Sequence, residues 1–201
     1  MWEKILYAVL MLLVAPVATE AVDPANGSLI YTENGSCLVS AYTKSSYSHV
    51  AIVLYEQDEP VVFEAKPGGV TKQKYRIFIR QAATAKLNGG KTVRLWISNP
   101  RIPYSKQETT RMLTLANSKL GTPYSILPTL VGKSMNTQQC AQYVSTVLES
   151  TPRFWFKDTK YQTPTTLLQI ARPGYSPLSL IYENKRANNK NWQDYLRFWD
   201  K

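Results

Sequence analysis

The chain holds one histidine, His49, and two cysteines, Cys37 and Cys140, among 201 residues. An imidazole beside a thiol is the smallest unit that performs covalent acyl transfer: the base takes the thiol proton, and the sulfur attacks a carbonyl carbon. A third polar group is needed to fix the ring in one tautomer and steady its positive form. Glu64 is the candidate. It is a lone carboxylate in the apolar stretch "VVFEA", and a carboxylate so placed must be paired or set at a cleft. Facing residues on paired strands lie about 4.5–5.5 Å apart at Cβ, so a contact between Glu64 and His49 is feasible if their strands form a hairpin. Taken singly, each residue also has an ordinary structural explanation: a core histidine, a carboxylate at an exposed strand end, and a cysteine packed as a small hydrophobe.

Position strengthens the case for Cys140. It falls in the first turn of an expected helix that starts near Asn136 or Thr137 and carries Cys140, Val144, Val147 and Leu148 on one face. At a helix start, N–H groups point outward and favour negative charge. Two free N–H groups beside the sulfur would also serve as an oxyanion hole.

The remaining elements must position these residues. "SYSHVAIVLY", Ser46 to Tyr55, is apolar on both faces and reads as a central strand. It pairs with Val61–Ala65 across "EQDEP", with Pro60 closing the turn. Ile30–Thr32, Cys37–Ala41, Lys74–Arg80 and Thr92–Ser98 are further candidate strands, and "KPGGV" is a turn. "SKQE" at Ser105–Glu108 is a capping box that opens a helix ending at Gly121. Thr163 and Pro164 open another that runs to about Arg172. The class is α+β, an antiparallel sheet with helices packed on one side.

Residues 1–21 read as a secretory signal. Lys4 precedes an apolar run from Ile5 to Ala18, too short for a comfortable membrane span, and cleavage is expected near Ala21. Glu3 weakens the positive start, which leaves an uncleaved membrane anchor as the alternative. Residues 22–182 form one catalytic domain on this reading, and 183–201 a basic aromatic tail. The expected location is extracytoplasmic, periplasmic or secreted. The net charge is +10, and Lys66–Leu148 carries thirteen Lys and Arg against the single acid Glu108. Such a field suits an anionic wall polymer or membrane surface, while export argues against nucleic acid.

"LGTPYS" at Leu120–Ser125, followed by "CAQYVSTVL" from Cys140, resembles the NlpC/P60 cysteine-peptidase superfamily. In the ordinary members the histidine follows the cysteine. Here it precedes, in "SHVAIVL", with "VVFEA" and "GGV" behind it. That order is similar to the circularly permuted branch, the YiiX/YebB-like proteins related to lecithin retinol acyltransferases. The resemblance implies a permuted papain-like α+β domain, Cys140 as nucleophile, His49 as base, Glu64 as the polar third member and Tyr124 lining the site. It implies no metal or cofactor. The substrate would be a cell-wall peptide amide, a lipid acyl group or a small amide conjugate. The competing reading is a non-catalytic binding protein with a Cys37–Cys140 disulfide and a basic face.

Overall fold

The computed structural model describes residues 22–84, 92–127 and 136–183. The expected signal, 1–21, and the tail from 184 lie outside them. Six antiparallel strands form one sheet in the order β4-β3-β2-β1-β5-β6: β1 Ser28–Glu33, β2 Tyr47–Glu56, β3 Glu59–Lys66, β4 Gly69–Lys74, β5 Arg94–Ser98 and β6 Ser179–Glu183. Among the described residues five α-helices accompany it: α1 Cys37–Thr43, α2 Tyr75–Thr84, α3 Lys106–Ser118, α4 Cys140–Glu149 and α5 Pro164–Ala171.

Alternation along β2 divides the core. Val50, Ile52 and Leu54 join Leu29, Tyr31 and Phe63 on one face, against Met112 and Ala116 of α3, Ala141, Val144 and Leu148 of α4, and Leu167 of α5. Ala51 and Val53 join Ile30, Val62 and Ile97 on the other, against Phe78 of α2. The packing of helices on one side thus holds for α3, α4 and α5, and α2 adds cover to the opposite face.

Three local expectations are corrected. Cys37–Ala41 is helical, not a strand: Ser36 caps it, its hydroxyl accepting the Val39 N–H and its carbonyl the Ser40 N–H. In "KYRIFIR" the strand ends at Lys74 and the rest is α2. Its alternating residues compete with a helical set, Tyr75, Phe78, Ile79 and Ala82, and the second face buries the helical set, leaving Ile77 exposed. Pro60 does not close the β2–β3 turn; it pairs with Tyr55 inside β3. The turn is Gln57–Asp58, both left-handed at φ 50° and 63°, as a two-residue hairpin of the primed type requires.

Two features of the sheet bear on the residues singled out above. β1 pairs Thr32 with His49 and then Glu33 with Tyr47, so Ser48 is an extra residue on β2 immediately before the histidine. A bulge of this kind re-aims the neighbouring side chain. Ser48 Oγ holds it in place, accepting the Ser36 N–H at 3.0 Å. At the far edge, β4 extends the sheet onto the connection to α4. The Gly121 N–H donates to the Val70 carbonyl, and the Val70 N–H donates to Thr122, both at 2.9 Å. The Gln138 N–H then donates to Pro123, and the Ser125 N–H to Gln138, so Tyr124 and Gln138 form a parallel bridge. The start of α4 is therefore tied to the sheet by backbone hydrogen bonds.

Gly69 is the tight point of that connection. Its φ is +118°, and a Cβ there would lie 3.0 Å from the Thr122 carbonyl oxygen. Gly69→Ala is expected to cost about 1–3 kcal/mol, the usual range for a side chain forced into a sparsely populated backbone region. It should lower the thermal midpoint by several degrees; a midpoint within a degree of wild type in a melting scan would refute this account of the contact.

Candidate active site

β2 and β3 pair from Glu56–Glu59 up to Ile52–Phe63, and His49 and Glu64 lie just past that last pair. His49 Nε2 is 2.9 Å from Glu64 Oε2. Glu64 is 2% exposed and His49 9%, so neither group is solvated enough to be stable alone. Glu64 has two further donors: Lys66 Nζ at 2.8 Å and Gln73 Nε2 at 3.2 Å. Burial works against the carboxylate, but the bonds and charges of His49 and Lys66 outweigh it and hold its pKa below the ordinary value.

Cys140 opens α4 and is 3% exposed. It carries a free thiol. It also hydrogen-bonds the imidazole. With Nε2 on Glu64, Nδ1 is the ring nitrogen left for the sulfur. Burial lowers the imidazole pKa, but hydrogen bonds to Cys140 and Glu64, reinforced by their charges, raise it from 6.5 to about 10. The structure thus brings together the three residues expected from sequence.

The cap of α4 differs from expectation. It is Gln139, not Asn136 or Thr137. Its Oε1 accepts the Ala141 N–H at 2.8 Å and lies 3.6 Å from Cys140 Sγ, within reach of the S–H whenever the sulfur carries its proton. Its Nε2 donates to the Gln162 carbonyl. The Ala141 N–H is therefore engaged and does not stand open to an oxyanion, as two free N–H groups had been expected to. Tyr124 is half-buried against the core, and its bridge to Gln138 sets it beside the strand that enters α4.

Sequence reasoning missed Gln139, Lys66 and Gln73. Lys66 had a signal: it lies two residues beyond Glu64 on one strand and so shares its face. Gln139 and Gln73 had none, because a glutamine cap is uncommon and Gln73 reaches Glu64 only through the β3–β4 register.

The family described as "Permuted papain-like amidase enzyme, YaeF/YiiX, C92 family" matches residues 23–183. It is related to NlpC/P60 but distinct from it, which refines the resemblance drawn from the motifs. A crystal structure described as metalloprotein yiiX from Escherichia coli O157:H7 matches with a TM-score of 0.52 and 21% identity, covering 65% of this chain and 68% of that one. At that identity it bears on the fold alone. No curated protein matches.

Because the chain has one histidine, a single imidazole resonance reports its titration. Its midpoint is expected near pH 10. Glu64→Gln removes a negative charge from the cation and must lower that midpoint. The stability linkage has the matching sign: the folded value exceeds the ordinary 6.5, so His49 stabilises the fold fully below about pH 6.5 and that contribution is lost toward pH 10. A midpoint unchanged in Glu64→Gln by proton NMR would show that the carboxylate does not support the ring.

Proposed function

The chain belongs to the permuted papain-like amidase family, a class of cysteine amidase, and on that premise we propose that Cys140, His49 and Glu64 form its catalytic set. The observation that carries this is the imidazole itself, bonded to the carboxylate on one nitrogen and to the thiol through the ring.

A ring whose pKa is raised to about 10 is protonated at neutral pH. In the reacting form the ring holds the proton and the sulfur is the nucleophile. The thiolate attacks an amide carbonyl, and the start of α4, with the Cys140 N–H nearest the sulfur, faces the developing oxyanion. The imidazolium protonates the leaving amine. The neutral ring then takes a proton from water, which releases the acyl group from the sulfur. Glu64 fixes the ring orientation throughout, and Lys66 and Gln73 hold Glu64 in place. Gln139 anchors the helix start on which the sulfur sits. Tyr124 borders the acyl-binding side.

On the substrate, the supporting facts are the basic middle of the chain and the apolar run at its N-terminus. They favour an enzyme exported to act on a wall peptide amide, a lipid acyl group or a small amide conjugate near an anionic surface. The "metalloprotein" description belongs to the relative from Escherichia coli. Here, among the described residues, no group of three or more His, Cys, Asp or Glu could hold a metal ion, and both ring nitrogens of His49 are engaged, so the residues do not fit a metal site.

An activated ester such as p-nitrophenyl acetate should leave one acetyl group on Cys140, visible by intact mass, and Cys140→Ala should leave none. His49→Ala is expected to slow acylation by about 10²–10⁴-fold, the usual contribution of a positioned proton-transfer group. Acylation that persists in Cys140→Ala, or a His49→Ala rate equal to wild type, would overturn the proposal.

A further inference from the structure

Away from the thiol, three loops meet where α4 ends. The chain leaving the helix is buried at Phe156, while Phe154 stacks on Phe156 and tilts against Tyr175. Between them Trp155 turns outward and is 77% exposed. Ile102, from the loop before α3, is 70% exposed. Arg153 joins the two loops: its guanidinium donates to the carbonyls of Ile102 and Pro103 at 2.6 and 2.8 Å and to both carboxylate oxygens of Glu108. It also lies 4.2 Å over the Tyr104 ring. The Arg101 N–H donates to the Gly174 carbonyl at 2.9 Å and ties in the third loop. The exposed indole and isoleucine thus project from a frame fixed by hydrogen bonds, and their exposure is not that of a frayed segment.

Charge completes the pattern. Arg101 precedes Ile102, Lys157 lies two residues past Trp155 and Arg172 lies two residues before Gly174 in the third loop, and all three are exposed. The nearby acids are engaged: Glu108 by Arg153, Asp158 by Lys160, and Glu149 by the Phe156 N–H. A soluble polyanion would use the cations and gain little from a tryptophan and an isoleucine held in water. A bilayer uses both. Indole favours the boundary between headgroups and acyl chains, and anionic headgroups attract flanking Lys and Arg. We propose that these loops, with Trp155 and Ile102 as inserted side chains and Arg101, Lys157 and Arg172 as the basic rim, dock the protein on an anionic phospholipid bilayer. The tip follows the last residue of α4 and Cys140 is its first, so docking leaves the thiol end about 15 Å away along the helix axis, at 1.5 Å per residue.

The full chain is mixed with phosphatidylcholine vesicles, with and without phosphatidylglycerol, whose acyl chains carry bromine as a contact quencher. With phosphatidylglycerol present, bromine should quench wild-type tryptophan emission. Trp155→Phe should lose that part of the quenching, and Arg101→Gln/Lys157→Gln/Arg172→Gln should weaken vesicle binding by roughly a hundredfold, as three cations near an anionic surface imply. Cys140 alkylation by iodoacetamide at the wild-type rate confirms that each variant is folded. Quenching identical in wild type and Trp155→Phe would overturn the proposal, whatever else attaches the chain to vesicles. If soluble polyglutamate binding instead tracks the three cations, the surface belongs to an anionic polymer.

Discussion

A carboxylate and an imidazole, both nearly buried, are stable only when hydrogen-bonded, and here the thiol completes the set. Glu64 is 2% exposed and Cys140 3%. An isolated charge at that depth is strongly disfavoured, whereas a charge met by partners on every side is tolerated. Glu64 meets three donors, and its imidazole partner meets the thiol. Much of the surrounding architecture serves this constraint. A two-residue turn brings β3 against β2, a bulge at Ser48 turns His49, and the backbone ladder from β4 through Pro123 and Gln138 fixes where α4 begins.

This arrangement explains why the order of the residues along the chain is free to change. The imidazole and carboxylate come from the ends of two adjacent strands, and the sulfur comes from the first residue of a helix packed on the same sheet. Nothing in their contact depends on whether helix or sheet is synthesised first. The requirement falls on the connection into α4, where Gly69 and Gly121, both at positive φ, let β4 and the 121–123 segment approach closely enough to bond.

The large elements were readable because their signals are periodic. β2, the β2–β3 hairpin, the capping box at Ser105–Glu108 and the Thr163–Pro164 helix start all appear as expected. Cys140, His49 and Glu64 were readable as candidates because each residue type is scarce or out of place in its segment. The failures share a cause: two patterns fit the same residues, and tertiary burial chose between them. Alternation in "KYRIFIR" lost to the helical set that Phe78 anchors under the sheet. The Ser48 bulge and the Gln73–Glu64 bond had no sequence signal, because strand register is a property of the assembled sheet. The cap was misplaced because Gln139 competes for the role through a side chain also held by Gln162, a contact between distant parts of the chain.

In the proposed mechanism the same hydrogen bond stores the proton and releases it. Hydrogen bonds and charges of both the thiol and Glu64 raise the His49 pKa. An imidazolium stabilised to that degree is a weak acid, poorly suited to protonating a leaving amine. Attack on the carbonyl removes the difficulty. Once the sulfur is bonded to carbon its negative charge has moved to the oxyanion, and one of the two interactions that favoured the protonated ring is lost. The ring becomes more acidic at the step that needs an acid. Glu64 keeps its charge and its bond to Nε2 throughout, so the ring does not turn while its acidity changes. A carboxylate in the third position therefore stabilises the ion pair before attack and preserves orientation afterwards. The acidity itself is switched by the sulfur.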